Sequence, residues 1–210
     1  MDRKKLAGAI EKALEDKGKK KFTQSVELII NMRGIDFSKS ENRLNLDIPL
    51  PKGKGGKELK SAVFAEGVAA DQAKKAGADL VISSSEIPEY ADKSKAIDLA
   101  ENYFLLAEPK LMGAVAKSLG QFLGKRGKLP KPITGDIEDM IKRSKNSVRI
   151  VSKGKYLPTA QTFIGTEEMN PEELAENADT VYEAVKNKVK EGNIKSVYVK
   201  LTMGRPFKAR

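Results

Sequence analysis

Apolar residues recur along this chain at two different spacings, and the change of spacing divides it. From Asp2 to Lys17, Leu6, Ala9, Ile10, Ala13 and Leu14 share one face at helical spacing, so an amphipathic helix opens the chain and Gly18 ends it. Past Lys19-Lys20-Lys21 and Phe22-Thr23-Gln24-Ser25, Val26–Arg33 reads as a strand. The alternating Asn42–Ile48 reads as its antiparallel neighbour, closed by Pro49 and Pro51. Pro51–Lys57 is short, polar and glycine-rich, which marks a linker.

The pattern then changes. Ala62–Ala65, Asp79–Ser83 and Asn102–Ala107 are continuous apolar strands, alternating with helical segments Val68–Ala76, Lys95–Ala100 and Leu111–Leu123; a further helix spans Asp136–Lys145. Such strands imply a parallel sheet covered on both faces. Alternation returns with Val148–Val151 and Thr159–Ile164. A long helix then runs from Pro171 to about Lys190, with Asn170 as N-cap, and a last strand spans Ile194–Met203. In that strand Val197, Val199 and Leu201 face one side, and Tyr198, Lys200 and Thr202 the other. An ordinary edge strand has this pattern; its hydroxyl-rich, glycine-terminated end also suits a phosphate-and-ribose partner. The expected fold is α/β with two domains. One is a discontinuous α+β domain built from residues 1–60 and 148–210; the other is an inserted doubly wound, Rossmann-like α/β domain over 61–147.

Charge adds a partner class. The 39 Lys and Arg against 29 Asp and Glu give +10 and a pI near 9.5, pointing to a polyanion, either nucleic acid or an anionic membrane surface. The terminal segments hold 26 basic and 17 acidic side chains, the insert 13 and 12, so the excess sits on the terminal module. The insert keeps one basic stretch, Lys117–Lys131. No apolar run approaches the roughly 20 residues of a membrane span, and no apolar signal core follows Met1, so the chain reads as soluble and unsecreted. Cysteine and histidine are absent, which removes disulfides, thiolate metal sites and the commonest acid/base group.

Known catalytic and nucleotide motifs do not fit. In Gly53-Lys54-Gly55-Gly56-Lys57, Pro51 stands where a phosphate loop needs its first glycine, and Glu58 follows the lysine. Ala65–Asp71 has one glycine, not the dinucleotide three. The carboxylate pairs Glu138-Asp139 and Glu172-Glu173 fall in first turns of helices, where the dipole accounts for them. Scarce aromatics and no tryptophan argue against a stacking platform for single strands. No catalytic residue, metal site or cofactor is expected.

Lys21-Phe22-Thr23-Gln24-Ser25 with Val26-Glu27-Leu28, Asn42-Arg43-Leu44, Leu50-Pro51-Lys52-Gly53, Gly124–Pro132 and Val199–Gly204 occur in an order that resembles the ribosomal protein L-one family in its archaeal form. Arg205 stands where the family usually has proline, and Lys125 replaces the proline of its Gly-Pro-Arg-Gly. The resemblance implies a cytoplasmic ribosomal protein, a monomer when free, without membrane contact. Such proteins bind large-subunit rRNA in the mobile stalk beside the tRNA exit site and assist release of deacylated exit-site tRNA. Many also repress their own operon by binding its mRNA. By the same resemblance the RNA-binding residues are Lys21, Phe22, Thr23, Ser25, Glu27, Thr202, Met203 and Gly204. Phe22 is expected to pack, and Ser25 and Thr202 to bond 2′-hydroxyls. Lys19, Lys20, Lys153, Lys155 and Lys200 would meet phosphates. The insert would swing on hinges near Pro51–Lys60 and Lys145–Val148. Two rival classes are an enzyme using the insert as a nucleotide site and a general nucleic-acid-packaging protein.

Overall fold

Helix capping and strand alternation place most elements where the residues demand them. The computed structural model describes residues 2–56, 59–151 and 157–210. In chain order these form α1 (Arg3–Leu14), β1 (Ser25–Met32), β2 (Asn45–Pro49), β3 (Lys60–Phe64), α2 (Gly67–Lys75), β4 (Leu80–Ile82), α3 (Lys93–Asn102) and β5 (Tyr103–Ala107). There follow α4 (Met112–Leu123), β6 (Lys131–Pro132), α5 (Ile137–Asn146), β7 (Ser147–Val151), β8 (Thr159–Thr166), α6 (Pro171–Val189), β9 (Ile194–Leu201) and β10 (Phe207–Lys208). The Asp2 carboxylate accepts the Lys4 and Lys5 amides to start α1. Asn170 and Glu173 form a reciprocal capping box at α6, with Pro171 in its first turn. The chain falls into two compact units, Met1–Glu58 with Asn146–Arg210, and Leu59–Lys145.

In the terminal unit an antiparallel sheet runs β10-β9-β1-β8. Val26, Leu28, Ile30, Val197, Val199 and Leu201 turn to one face, where Leu6 and Ile10 of α1 and Leu174, Val181, Tyr182 and Val185 of α6 bury them. Each such aliphatic side chain contributes about 1.5–3 kcal/mol on leaving water. The segment Asn42–Ile48 is not the neighbour of β1. The strand starts at Asn45, after a 3-10 turn over Ser40–Asn42, and pairs with β7 in a separate ribbon. The cause is competition: both edges of β1 are taken by β8 and β9, each matching its eight-residue length.

The last strand also differs from expectation. It is interior, because Phe207 and Lys208 add β10 beyond it, and it stops at Leu201, with Thr202–Gly204 forming a turn. The supposed linker is partly anchored. Fully buried Asn177 accepts the Lys52 amide at 3.0 Å and donates to the carbonyls of Gly53 (3.0 Å) and Ile164 (2.8 Å). The Thr166 hydroxyl donates to Gly55 O at 3.0 Å. At Gly55, φ is +61° and a Cβ would stand 2.5 Å from Thr166 Oγ1, so glycine is required twice over.

The insert carries a parallel sheet ordered β4-β3-β5-β6. Ala62, Phe64, Leu105 and Ala107 meet α3 and α4 through Ala96, Leu99, Val115 and Leu119. Val63, Ala65 and Leu106 face the other way, toward Ala73 of α2 and Ile137 and Ile141 of α5. Both faces are thus covered, as continuous apolar strands require.

Candidate nucleic-acid interface

Antiparallel pairing of Val26 with Leu201 puts the entry of β1 beside the exit of β9. The Thr202 amide donates to Ser25 O at 3.0 Å, and its hydroxyl accepts the Ser25 amide at 3.1 Å while donating to Ser25 O at 3.3 Å. That hydroxyl therefore staples the two segments and keeps one lone pair for a partner. Beside it Gln24 is 2% exposed; its side-chain oxygen accepts the Met203 amide at 3.2 Å. Its own amide and side-chain nitrogen each donate to the Glu167 carboxylate at 3.1 Å, and the Glu167 amide returns a bond to Gln24 O at 3.0 Å. Thr23 donates to Glu168 at 3.0 Å.

These bonds decide what each residue offers. Phe22 does not pack inward: it is 50% exposed, while Gln24 two residues on is buried. Met203 is 64% exposed, and Lys20 and Lys21 are exposed as well. Gly204 caps the turn through its amide to Leu201 O at 3.0 Å, and a Cβ there would stand 3.1 Å from that of Leu201. Lys200 is not a free phosphate arm. Its ammonium donates to Thr202 O at 2.8 Å and lies 3.9 Å from Glu27, so it braces the turn. Lys19 is hydrogen-bonded to Asp16, whose carboxyl is held below the usual 3.8 first by that bond and the ammonium's charge, with Arg205 and Lys20 adding. Arg205, Lys19 and Lys20 thus all lie within electrostatic reach of Asp16. Lys153 and Lys155 lie outside the described residues.

The face of β1 away from the core carries a second set of groups. Glu27 accepts from Gln161 at 2.5 Å; Asn31 donates to Ser196 at 3.1 Å and accepts from Thr159 at 3.0 Å. Ile29 and Tyr198, cross-strand partners, are half-buried on the same face. Alternation in Val26–Met32 marks Glu27 and Asn31 as outward. Their partners from β8 and β9 depend on register, which no local pattern encodes. Gln24 lies inside the entry motif, yet nothing in the sequence singles it out, nor Glu167 and Glu168, because a buried polar anchor has no periodic signature.

The insert presents different chemistry. At the carboxyl ends of β3 and β5 a crevice of about 630 Å³ is lined by Glu66, Gly67, Val68, Ala69, Gln72, Glu108 and Lys110. Ligands enter doubly wound sheets at this place, but two carboxylates there disfavour a nucleotide's phosphates. Glu66 is hydrogen-bonded by the Ser84 hydroxyl and held below the usual 4.5 chiefly by it. Elsewhere in the insert Lys131 sits 5.0 Å over the Phe104 ring, and Arg126 is 3.7 Å from Glu101. The described residues contain no cluster of three or more acidic side chains fit for a metal, and no helix long and apolar enough to cross a membrane.

Comparison with known proteins supplies the family. Residues 11–205 match the model of the "Ribosomal protein L1p/L10e family". The chain is 44% identical over 214 residues to "Large ribosomal subunit protein uL1" of Methanocella arvoryzae, covering 99% of each. It is 43% identical to the protein of the same name from Thermofilum pendens, over 96% of this chain and 93% of that one. Identity to the Pyrococcus abyssi protein is 41%, over 100% and 97% respectively. With a family match spanning nearly its whole length, and with the entry motif and closing turn that carried the resemblance bound to each other, the chain belongs to the ribosomal protein L1p/L10e family.

Proposed function

We infer that this chain binds large-subunit rRNA through the junction of Lys21–Ser25 with Thr202–Gly204. As a member of its family it is a structural, non-enzymatic protein of the large ribosomal subunit, and its place is the cytoplasmic ribosome. The observation that carries the rRNA reading is the exposure of Phe22 and Met203 at one hydrogen-bonded junction, on the unit holding most of the positive charge. Exposed apolar groups beside Lys20, Lys21 and Arg205 suit a partner offering both phosphates and sugar or base faces. The half-exposed face with Glu27, Asn31 and Tyr198 extends the surface; such hydroxyl, amide and carboxylate groups match 2′-hydroxyls and base edges.

By family resemblance the RNA is the stalk region beside the tRNA exit site, with a similar structure in the chain's own operon mRNA as a second target, and exit-site tRNA release as a further role. The free protein is a monomer. The insert acts as a domain that swings relative to the terminal unit. Met203→Ala should weaken binding to a stalk rRNA fragment by about 1–3 kcal/mol, with the thermal midpoint unchanged because the side chain is exposed. Filter binding or calorimetry checks this. Wild-type affinity in that variant removes the assignment.

A further inference from the structure

We propose that Gln24 and Glu167 form a buried positioning pair that fixes which way the Thr202–Gly204 turn presents itself to RNA. The proposal rests on the rRNA reading above and assigns a cause for the site's shape. A glutamine amide is ambiguous about its two ends: turned by half a rotation, it would aim N–H groups at the Met203 amide, donor against donor. The Glu167 carboxylate removes that ambiguity. It can only accept, and it takes both the backbone amide and the side-chain nitrogen of Gln24, so the remaining oxygen must face Met203. Both side chains are withdrawn from water, at 2% and 4% exposure. Neither contacts a partner directly; they act through Met203.

The carboxylate is a poor choice on electrostatic grounds. A negative charge beside an interface for a polyanion repels it. Its presence is explained if orientation outweighs charge, and the two effects have opposite signs in one variant. Glu167→Gln removes the negative charge, so charge alone predicts tighter RNA binding. Positioning predicts the reverse. The introduced amide can accept from the Gln24 backbone amide through its oxygen, but its NH₂ group then faces the NH₂ of Gln24; relieving that clash turns the Gln24 oxygen from Met203. Gln24→Glu places two carboxylates together and fails likewise. Combining Gln24→Glu with Glu167→Gln restores every bond with the central one reversed in polarity: the amide at position 167 donates to the carboxylate at position 24, whose other oxygen accepts the Met203 amide. Net charge returns to that of the wild type.

The experiment measures affinity for a stalk rRNA fragment and for a random duplex of equal length, the thermal midpoint, and hydrogen exchange of the Met203 amide in the RNA-free protein. Glu167→Gln should lose about tenfold in affinity for the stalk fragment with little change on the duplex, expose the Met203 amide to faster exchange, and keep the salt slope within about one unit. The double variant should recover affinity to within about threefold and slow the exchange again. Equal or tighter stalk binding by Glu167→Gln overturns the proposal, as does a double variant no better than either single one at a matched midpoint. Should a single variant fail to fold, the double variant and a Gln24→Ala protein carry the same two readouts. Failure of the wild type to prefer the stalk fragment would sink the rRNA reading instead, and the exchange measurement would still decide the pair: unchanged Met203 protection without Gln24 or Glu167 refutes it.

Discussion

The two sheets of this molecule solve burial in opposite ways. The parallel sheet of the insert is covered by helices on both faces, with Ala62 and Phe64 turned to one and Val63 and Ala65 to the other. The sheet containing β1 buries only one face, leaving Glu27, Ile29 and Asn31 half-exposed on the other. A sheet sealed on both sides has only its rim and loops to offer a partner, whereas a one-sided sheet can offer whole rows of side chains. Net charge follows the same division. The lesson is that the insert, whose parallel sheet is the more suggestive of ligand chemistry, leaves less of its sheet open to a partner.

That contrast can be broken most directly by separating its halves. A protein with residues 1–60 joined to 148–210 by a short linker should hold a stalk rRNA fragment within about threefold of the full chain, while residues 61–147 alone should bind at least about a thousandfold more weakly, roughly 4 kcal/mol. Comparable affinity of both halves in a gel-shift titration would erase the distinction. Next in size, Asn177→Ala leaves the Lys52 amide and the Gly53 and Ile164 carbonyls without their partner, and should cost the terminal unit about 3 kcal/mol in urea unfolding. The insert's own transition should not move; a shared shift would mean the units unfold as one.

The smallest effect concerns acid. In the insert, burial pushes the Asp79 carboxyl up, but bonds from the Ser61 amide and hydroxyl, both at 2.8 Å, and the Lys145 ammonium at 3.4 Å outweigh it, leaving it below 3.8. A carboxyl lowered by folding contributes stability above its unfolded value and loses it as pH falls through the folded one. Asp79→Asn should therefore cost the insert about 1 kcal/mol or less at neutral pH, its partial exposure counted, and the gap to wild type should narrow as pH falls below the ordinary carboxylate value. A constant gap between pH 7 and 3 would contradict the assignment.

Local chemistry makes the helix starts legible: Asp2 caps α1, and Asn170 with Pro171 opens α6, where their roles require; the end of α1 differs from expectation, at Leu14 with Glu15 as C-cap and not at Gly18. Mixed α/β character follows from the change between alternating and continuous apolar runs. Strand pairing is harder, since Asn42–Ile48 has the right alternation for β1 but the longer strands β8 and β9 claim its edges from far along the chain. The same limit governs the interface. Met203 and Thr202 stand out by motif, yet the partner of Met203 is Gln24 and that of Gln24 is Glu167, contacts spanning 179 and 143 positions. Lys200 shows the same limit, because a lysine on an outward strand position gives no sign in the sequence that its ammonium bonds Thr202 O.

The anchoring of Lys52, Gly53 and Gly55 has a mechanical consequence. A pull exerted along the chain from beyond Gly56 would not first peel the β2–β7 ribbon; it would load the Thr166 hydroxyl and then the Asn177 amide, bonds set against the end of β8 and the middle of α6. Asn177 spreads that force between a helix and a strand, so it is borne as shear across the core of the terminal unit and not by one edge. A glycine-rich tether of the sort that usually isolates its ends is here fixed to a rivet, and tension on it reaches the same turn, Thr166-Glu167, that holds Gln24.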